Sequence, residues 1–177
     1  REALAALADF GIVEEHLDAA CTLIRNTLSV PLFGGTDAVL SDIPDEAVLK
    51  ELEFYFPAAA IEPEGLKRVF SRHAAAFRFG EAGSIASLSF QEFSGFLKGF
   101  IDCLFEHEGK FYVADWKSNW LGDSPENYSP ESLGHAMDHH RYTLQAYIYA
   151  LAAHRYLEMR IPGYSYENMF GGVCYMF

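Results

Sequence analysis

Cysteine is scarce and scattered in this 177-residue chain. Cys21, Cys103 and Cys174 lie far apart, their number is odd and no C-x-x-C occurs. That excludes a disulfide framework and a cysteine-based zinc site, and it fits a reducing compartment. No run of 18 apolar residues is present, so no membrane span is expected. Basic residues are few: 13 Lys and Arg stand against 25 Asp and Glu, a formal net charge of -12. Phosphate contacts supply most nucleic-acid affinity, so a chain this acidic is a poor stand-alone DNA binder. No G-x-x-x-x-G-K-[ST] is present, and neither Gly34-Gly35 nor Gly171-Gly172 makes a phosphate-binding loop. No ATP-driven motor is expected in this stretch. The start, Arg1-Glu2-Ala3-Leu4, lacks an initiator Met and a signal-peptide layout, and reads as a cut from a longer protein.

What is abundant is apolar surface. Half of the residues are hydrophobic and 15% are aromatic, ample for the packed core of one domain of ordinary size. Residues 3–28 carry Leu4, Leu7, Ile12, Leu17, Ala20 and Leu23 at roughly helical spacing, and Pro31 and Gly34-Gly35 close that region. Leu49 to Phe56 alternates as a strand, with Pro57 expected to stop it. Pro63 to Phe77 reads as a helix with Leu66, Val69, Phe70 and Ala74 on one side, and Gly80 to Ser84 as a turn. Gly95–Glu106 and Lys110–Trp116 read as two strands joined by His107-Glu108-Gly109, a tight-turn signal. Trp120 to Tyr128 is a loop. Ser129-Pro130-Glu131 opens a long helical pattern, with room for a bend, that ends at Pro162-Gly163. Gly172–Phe177 is a last strand. The order is that of an α/β or α+β architecture, with residues 1–47 as a helical and linker part and residues 48–177 as the core. The hairpin strands are apolar on both faces and are expected to lie centrally in the sheet.

The hairpin also assembles carboxylates. A turn centred on Glu108-Gly109 sets His107 opposite Lys110, Asp102 opposite Asp115 and Phe100 opposite Lys117. Opposed residues share a face with Cβ atoms about 4.5–5.5 Å apart. Asp115 and Lys117 share a face by the period of two. Two carboxylates so placed repel each other, and a bound divalent cation removes the conflict. Hard oxygen ligands with few nitrogens or sulfurs suit Mg²⁺, with Mn²⁺ as a substitute. Such a site polarises a phosphoryl oxygen and lowers the pKa of a bound water. Lys117 would then orient that water or stabilise the pentacovalent oxyanion. The chemistry implied is phosphodiester hydrolysis. The bland alternative is a buried Asp–Lys ion pair, with the second Asp at a strand end.

The runs G-F-I-D, A-D-W-K-S-N-W-L-G, H-R-Y-T-L-Q-A-Y-I-Y-A-L-A-A-H-R-Y-L and F-G-G-V-C-Y-M-F resemble the C-terminal nuclease domains of the RecB family, the beta subunits of bacterial exodeoxyribonuclease V. The resemblance covers about residues 48–177. It implies the α/β, PD-(D/E)xK, restriction-endonuclease-like fold, with a central mixed sheet flanked by helices, and a Mg²⁺-dependent exodeoxyribonuclease. Asp102 and Asp115 match the acidic metal ligands, the backbone carbonyl of Trp116 a further ligand, and Lys117 the catalytic lysine. Gln145 and Tyr149 match the family's Q-x-x-x-Y motif, with Ser118 and Asn119 candidates for phosphate contact or for fixing the loop. The implied partners are DNA, RecC-like and RecD-like subunits and a RecA-like recombinase, in the bacterial cytoplasm, in double-strand break repair. One departure stands out. The family's upstream G-T-x-x-H-x-x-x-E helix, whose His is a metal ligand, has no match here. The expectation is that the stretch begins downstream of that motif and is weak or inactive alone.

Other residues carry competing readings. Tyr142, Ala146, Tyr149, Ala153 and Tyr156 form a stripe at helical spacing that packing alone explains, so Tyr149 is divided between site and core. His135 and His139 have zinc-protease spacing, but Ala136 stands where the catalytic Glu belongs. His140-Arg141-Tyr142 falls near DNA by the resemblance. His16 is expected at the surface, and Glu51 or Glu53 is a candidate to support the acidic pair. A different class of function also fits: a non-catalytic module that docks partner subunits or loads recombinase, for which a Lys117–Asp115 ion pair is the expected geometry.

Overall fold

The computed structural model describes residues 5–6, 9–11, 13–33, 37–72 and 87–177. The expectations placed on Leu4, Leu7, Ile12, Gly34-Gly35, Ala74 and Gly80 to Ser84 lie outside them. The chain divides into two compact units, residues 1–46 and 47–177.

The first unit holds one sizeable helix, α1 (Leu17–Ser29). Leu17 and Ala20 are half-buried, as the apolar spacing predicts, but Leu23 is exposed, so the stripe is narrower than expected. His16 sits at the surface beside Glu15.

The second unit is built on a four-stranded mixed sheet in the order β1 (Val48–Ile61), β2 (Phe93–His107), β3 (Lys110–Trp116) and β4 (Phe170–Met176). The first three strands are antiparallel and β4 runs parallel to β3. A parallel neighbour needs a long crossover, and α3 (Pro130–His139) and α4 (Tyr142–Arg160) supply it. Helix α2 (Pro63–Arg72) follows β1 and buries Phe70. Val69, expected beside it, is exposed.

Strand β1 runs through Pro57 instead of stopping there. It is an edge strand, where a missing N–H need not cost a ladder bond. The β2–β3 turn has Glu108 at φ 51° and Gly109 at φ 75°, the two positive values of a type I′ hairpin, and sets His107 opposite Lys110 as expected. The core lies between sheet and α4, where Ile101, Leu104 and Val113 meet Tyr149, Ala153 and Leu157. Cys103, Phe105 and Ala114 point to the other face and are also buried, so this central part of the hairpin is covered on both sides. Further along, Phe96 and Phe100 are exposed. There the two-sided covering fails.

The β1–β2 ladder shifts register between Ala58 and Ile61, where Ala60 is at φ 51°, and its alternation breaks again nearer the hairpin. Leu52 pairs with Ile101 and Leu49 with Leu104, and Ile101 and Leu104 both pack in the cluster against α4, although a strict period of two forbids it across three residues. The slip falls at Glu51, held at φ 51°, and at Asp102 across from it. A positive φ at a non-glycine is unusual within a strand. It turns the pleat over at the level of the acidic residues.

Ser129 caps α3 by accepting from the Ser132 N–H at 3.3 Å. The expected bend in the long helical stretch falls at His140 and Arg141, the latter left-handed at φ 58°.

Candidate active site

The carboxylates gather where β2 and β3 part. The paired ladder ends at Cys103–Ala114, one step before the expected Asp102–Asp115 pair. Asp102 does not face Asp115 as a ladder partner. Its Oδ2 accepts the Trp116 N–H at 3.0 Å, so the side chain takes the place of a backbone carbonyl. The slip at Asp102 explains the change. Phe100 likewise does not meet Lys117, since the β2–β3 ladder has already ended and Lys117 lies beyond the end of β3. On its other side β3 continues two steps further, through Trp116–Met176, and the Lys117 N–H donates to the Met176 carbonyl at 2.7 Å. Lys117 therefore leaves the sheet in a fixed direction.

Asp115 is 2% exposed. Its Oδ2 lies 2.5 Å from Lys117 Nζ, a close ion pair. Burial is the main cause raising the Asp115 pKa. The bond and charge of Lys117 work against that rise, the Asp102 charge adds to it, and a hydrogen bond from Tyr149 opposes it. Desolvation thus outweighs the lysine in setting the direction of the shift.

Lys117 is held on several sides. Its Nζ donates to Gln145 Oε1 at 2.8 Å. It sits 4.1 Å from the centre of the Tyr142 ring and 5.1 Å from that of Tyr175. Gln145 Nε2 donates to the Tyr149 hydroxyl at 2.9 Å. The i, i+4 spacing thus puts the motif pair on one helix face, toward Asp115 and Lys117. Tyr149 belongs to site and core together. It is 8% exposed, packs in the main cluster, and has its hydroxyl pKa pushed up to about 12 by burial and then by the Asp115 charge. Asn119 joins the same network, accepting from the Tyr142 hydroxyl at 2.9 Å and lying 3.0 Å from His140 Nε2. Ser118 is exposed beside it. Glu53 is turned away, paired with Lys98.

Two residues of this cluster were not anticipated in that role. Tyr175 pairs with Asp115 across the parallel β3–β4 ladder, and its hydroxyl donates to Gln145 Oε1 and to the Tyr142 carbonyl, both at 3.1 Å. Tyr142, assigned to a packing stripe, is the closer ring under the lysine. Its position one turn before Gln145 was the available signal. For Tyr175 the local sequence holds none, because the register of a parallel strand is set across the crossover.

An acidic pair followed by a lysine, at the end of the central strands of a mixed sheet flanked by helices, defines an α/β domain with a restriction-endonuclease-like core. No family model matches the chain. Individual relatives do. The chain is 40% identical over 158 residues to "RecBCD enzyme subunit RecB" of Escherichia coli, covering 87% of this chain and 13% of that protein. It is 37% identical over 148 residues to the subunit of the same name from Haemophilus influenzae, covering 83% and 12%. With that of Mycolicibacterium smegmatis it shares 32% over 179 residues, covering 92% and 16%. The chain belongs to the RecB family, and it spans a small part of the length of these relatives.

Proposed function

We propose that this chain is the nuclease region of a RecB-like subunit and hydrolyses DNA phosphodiester bonds with Mg²⁺, as an exodeoxyribonuclease V-type enzyme. The observation that carries the reading is the buried Asp115, beside Asp102 and tied to Lys117. These residues fit a Mg²⁺ ion, which takes one or two carboxylates, keeps several waters and shares substrate phosphates. Among the described residues no group of three or more His, Cys, Asp or Glu is placed to hold a metal. Asp102, Asp115 and the Trp116 carbonyl would hold it, with Mn²⁺ as a substitute. When bound, the ion supplies Lewis-acid polarisation of the phosphate and a more acidic water.

The chain's own residues do the rest. Lys117, carried as an ammonium by Gln145 and two tyrosine rings, is positioned to donate to a phosphoryl oxygen or to orient the attacking water. Gln145 fixes the lysine, and Tyr149 fixes Gln145 and Asp115. Asn119, braced by Tyr142, and exposed Ser118 stand where the backbone of a strand would pass. The acidic surface is reconciled with a DNA substrate if helicase and partner subunits, RecC-like and RecD-like, deliver the strand at high effective concentration. A RecA-like recombinase is a candidate client. Among the described residues no helix is long and apolar enough to cross a membrane, and the setting we propose is the bacterial cytoplasm.

The Lys117–Asp115 ion pair also suits the second reading, a docking module without catalysis. The deciding assay is Mg²⁺-dependent cleavage of linear single-stranded DNA. It compares this chain, a form extended upstream by roughly 15–25 residues of helix and linker, and the extended form with Lys117→Ala. Cleavage by the extended form that Lys117→Ala abolishes is expected. A folded extended form that is inactive alone, in an assembled parent unaffected by the same substitution, overturns the proposal in favour of docking.

A further inference from the structure

On the side of α4 turned away from Gln145 and Tyr149 lies a cavity of about 580 Å³, walled by the helix and by residues 164–167. Tyr147, Leu151, His154 and Glu158 line it at spacings of four, three and four, one continuous helical stripe. Three features set it apart from ordinary surface. Its wall is aromatic: His154 stands 5.7 Å from the Tyr164 ring and 5.3 Å, edge to face, from Tyr166. Its charge is negative, since Glu158 and Glu167 line it and no Lys or Arg does. The neighbouring basic residues are engaged elsewhere, Arg155 over Phe56 and Arg160 over Tyr156. Finally, it contains two buried polar atoms with no partner, His154 Nδ1 and the Tyr164 hydroxyl oxygen. Buried polar atoms are nearly always satisfied, so two orphans in one cavity call for a donor from outside.

From this geometry we infer that the cavity is a recognition pocket for a basic side chain, arginine above all, presented by a partner protein. A guanidinium stacks on tyrosine faces, donates to several acceptors at once and neutralises carboxylates. A small turn of either lining side chain would bring the buried Tyr164 oxygen, or His154 Nδ1 with the ring proton on Nε2, to it as an acceptor. Glu167, steadied by Ser165 at 3.2 Å, closes the rim. Tyr147 and Leu151, 44% and 42% exposed, provide apolar surface for the aliphatic stem and the flanking peptide. The same charge repels phosphates, so a nucleic acid does not compete. The pocket is independent of the nuclease reading and stands if that reading fails.

The test is an NMR titration of the 177-residue chain, following the ring signals of His154, Tyr164 and Tyr166. The probes are the capped peptide Gly-Arg-Gly, its neutral counterpart Gly-Gln-Gly, and spermidine. Saturable shifts with the arginine peptide only are expected. Glu158→Gln with Glu167→Gln should weaken its binding about fivefold or more, as loss of two ion pairs in a partly desolvated site would. Both glutamates are exposed, so these swaps leave the fold intact, and an unchanged amide spectrum outside the pocket verifies it. No saturable shift, equal shifts with the glutamine peptide, or indifference to the double substitution overturns the proposal. Saturable binding of spermidine without the arginine peptide overturns it in favour of a free polyamine.

Discussion

Two lysine–carboxylate pairs stand on the same sheet unit with almost the same geometry and opposite surroundings. Lys117 meets Asp115 at 2.5 Å with the side chains 10% and 3% exposed. Lys98 meets Glu53 at 2.6 Å with both more than half exposed, at 57% and 52%. Each ammonium also lies near aromatic rings, Lys117 by Tyr142 and Tyr175, and Lys98 5.8 Å from Phe100. Distance therefore does not separate them; solvent does. Around the exposed pair, water and salt screen the attraction until little is left. Around the buried pair the same attraction competes with a large desolvation cost, and the Asp115 pKa rises despite the lysine. The buried pair therefore carries a desolvation cost that the exposed one does not.

The largest expected contrast is between Lys117→Ala and Lys98→Ala. The first leaves Asp115 buried and unpaired, which should cost about 3–5 kcal/mol and lower DNA cleavage by about 10²-fold or more. The second should cost about 0–1 kcal/mol and leave cleavage unchanged. Urea unfolding of both variants beside the cleavage assay reads this directly. Equal unfolding midpoints would break the comparison.

Next comes pH and metal. The raised Asp115 pKa means that the folded chain keeps a proton the unfolded chain has already released. The stability from this group is complete below the ordinary carboxylate value and is lost as pH rises through the raised one. Mg²⁺ should oppose that loss. At a hundred times its dissociation constant it adds about 2.7 kcal/mol. Thermal melts across acidic to neutral pH, with and without Mg²⁺, check the sign. Asp115→Asn should abolish both effects, whereas Glu53→Gln should leave both in place.

How much of this was legible in the sequence follows from how local each determinant is. The turn and β3 were readable: Glu108-Gly109 fixes the turn, and β3 begins at Lys110 and ends at Trp116 as expected, while the expected Asp102–Asp115 and Phe100–Lys117 pairings do not form. The neighbourhood of Asp102, Asp115 and Lys117 followed from it. Their mode of contact did not, because the slip at Glu51 and Asp102 belongs to two strands brought together by the fold and leaves no pattern in either. Pro57 misled for a similar reason, since its effect depends on β1 being an edge. Tyr175 reaches Asp115 only through a parallel register closed by about 50 residues of crossover, beyond what local spacing reports.

A smaller contrast concerns the aromatic partners. Tyr175→Phe keeps the ring near Lys117 but removes the hydrogen bonds to Gln145 and the Tyr142 carbonyl. It should cost about 1 kcal/mol and lower cleavage several-fold as Gln145 loosens its hold on the lysine. Phe100→Leu removes the ring near Lys98 and should change stability by about 0.5 kcal/mol at most from that contact, with no effect on cleavage. Urea melts and cleavage rates for the two variants are the measurement. A matching loss of cleavage in both would mean that the rings act through the sheet as a whole.

The finest test isolates the exposed pair itself. A double-mutant cycle with Glu53→Gln and Lys98→Ala cancels whatever each side chain does alone and leaves their coupling. Both side chains are more than half exposed, so that coupling should lie within about 0.2–1 kcal/mol at low salt and shrink further near 1 M salt, where the Debye length is about 3 Å. The 2.6 Å separation makes the case demanding, because a contact this short invites the assumption of a strong bond. A coupling of about 2 kcal/mol or more, insensitive to salt, would show that short distance suffices without burial. Solvent alone would then not divide the two lysines.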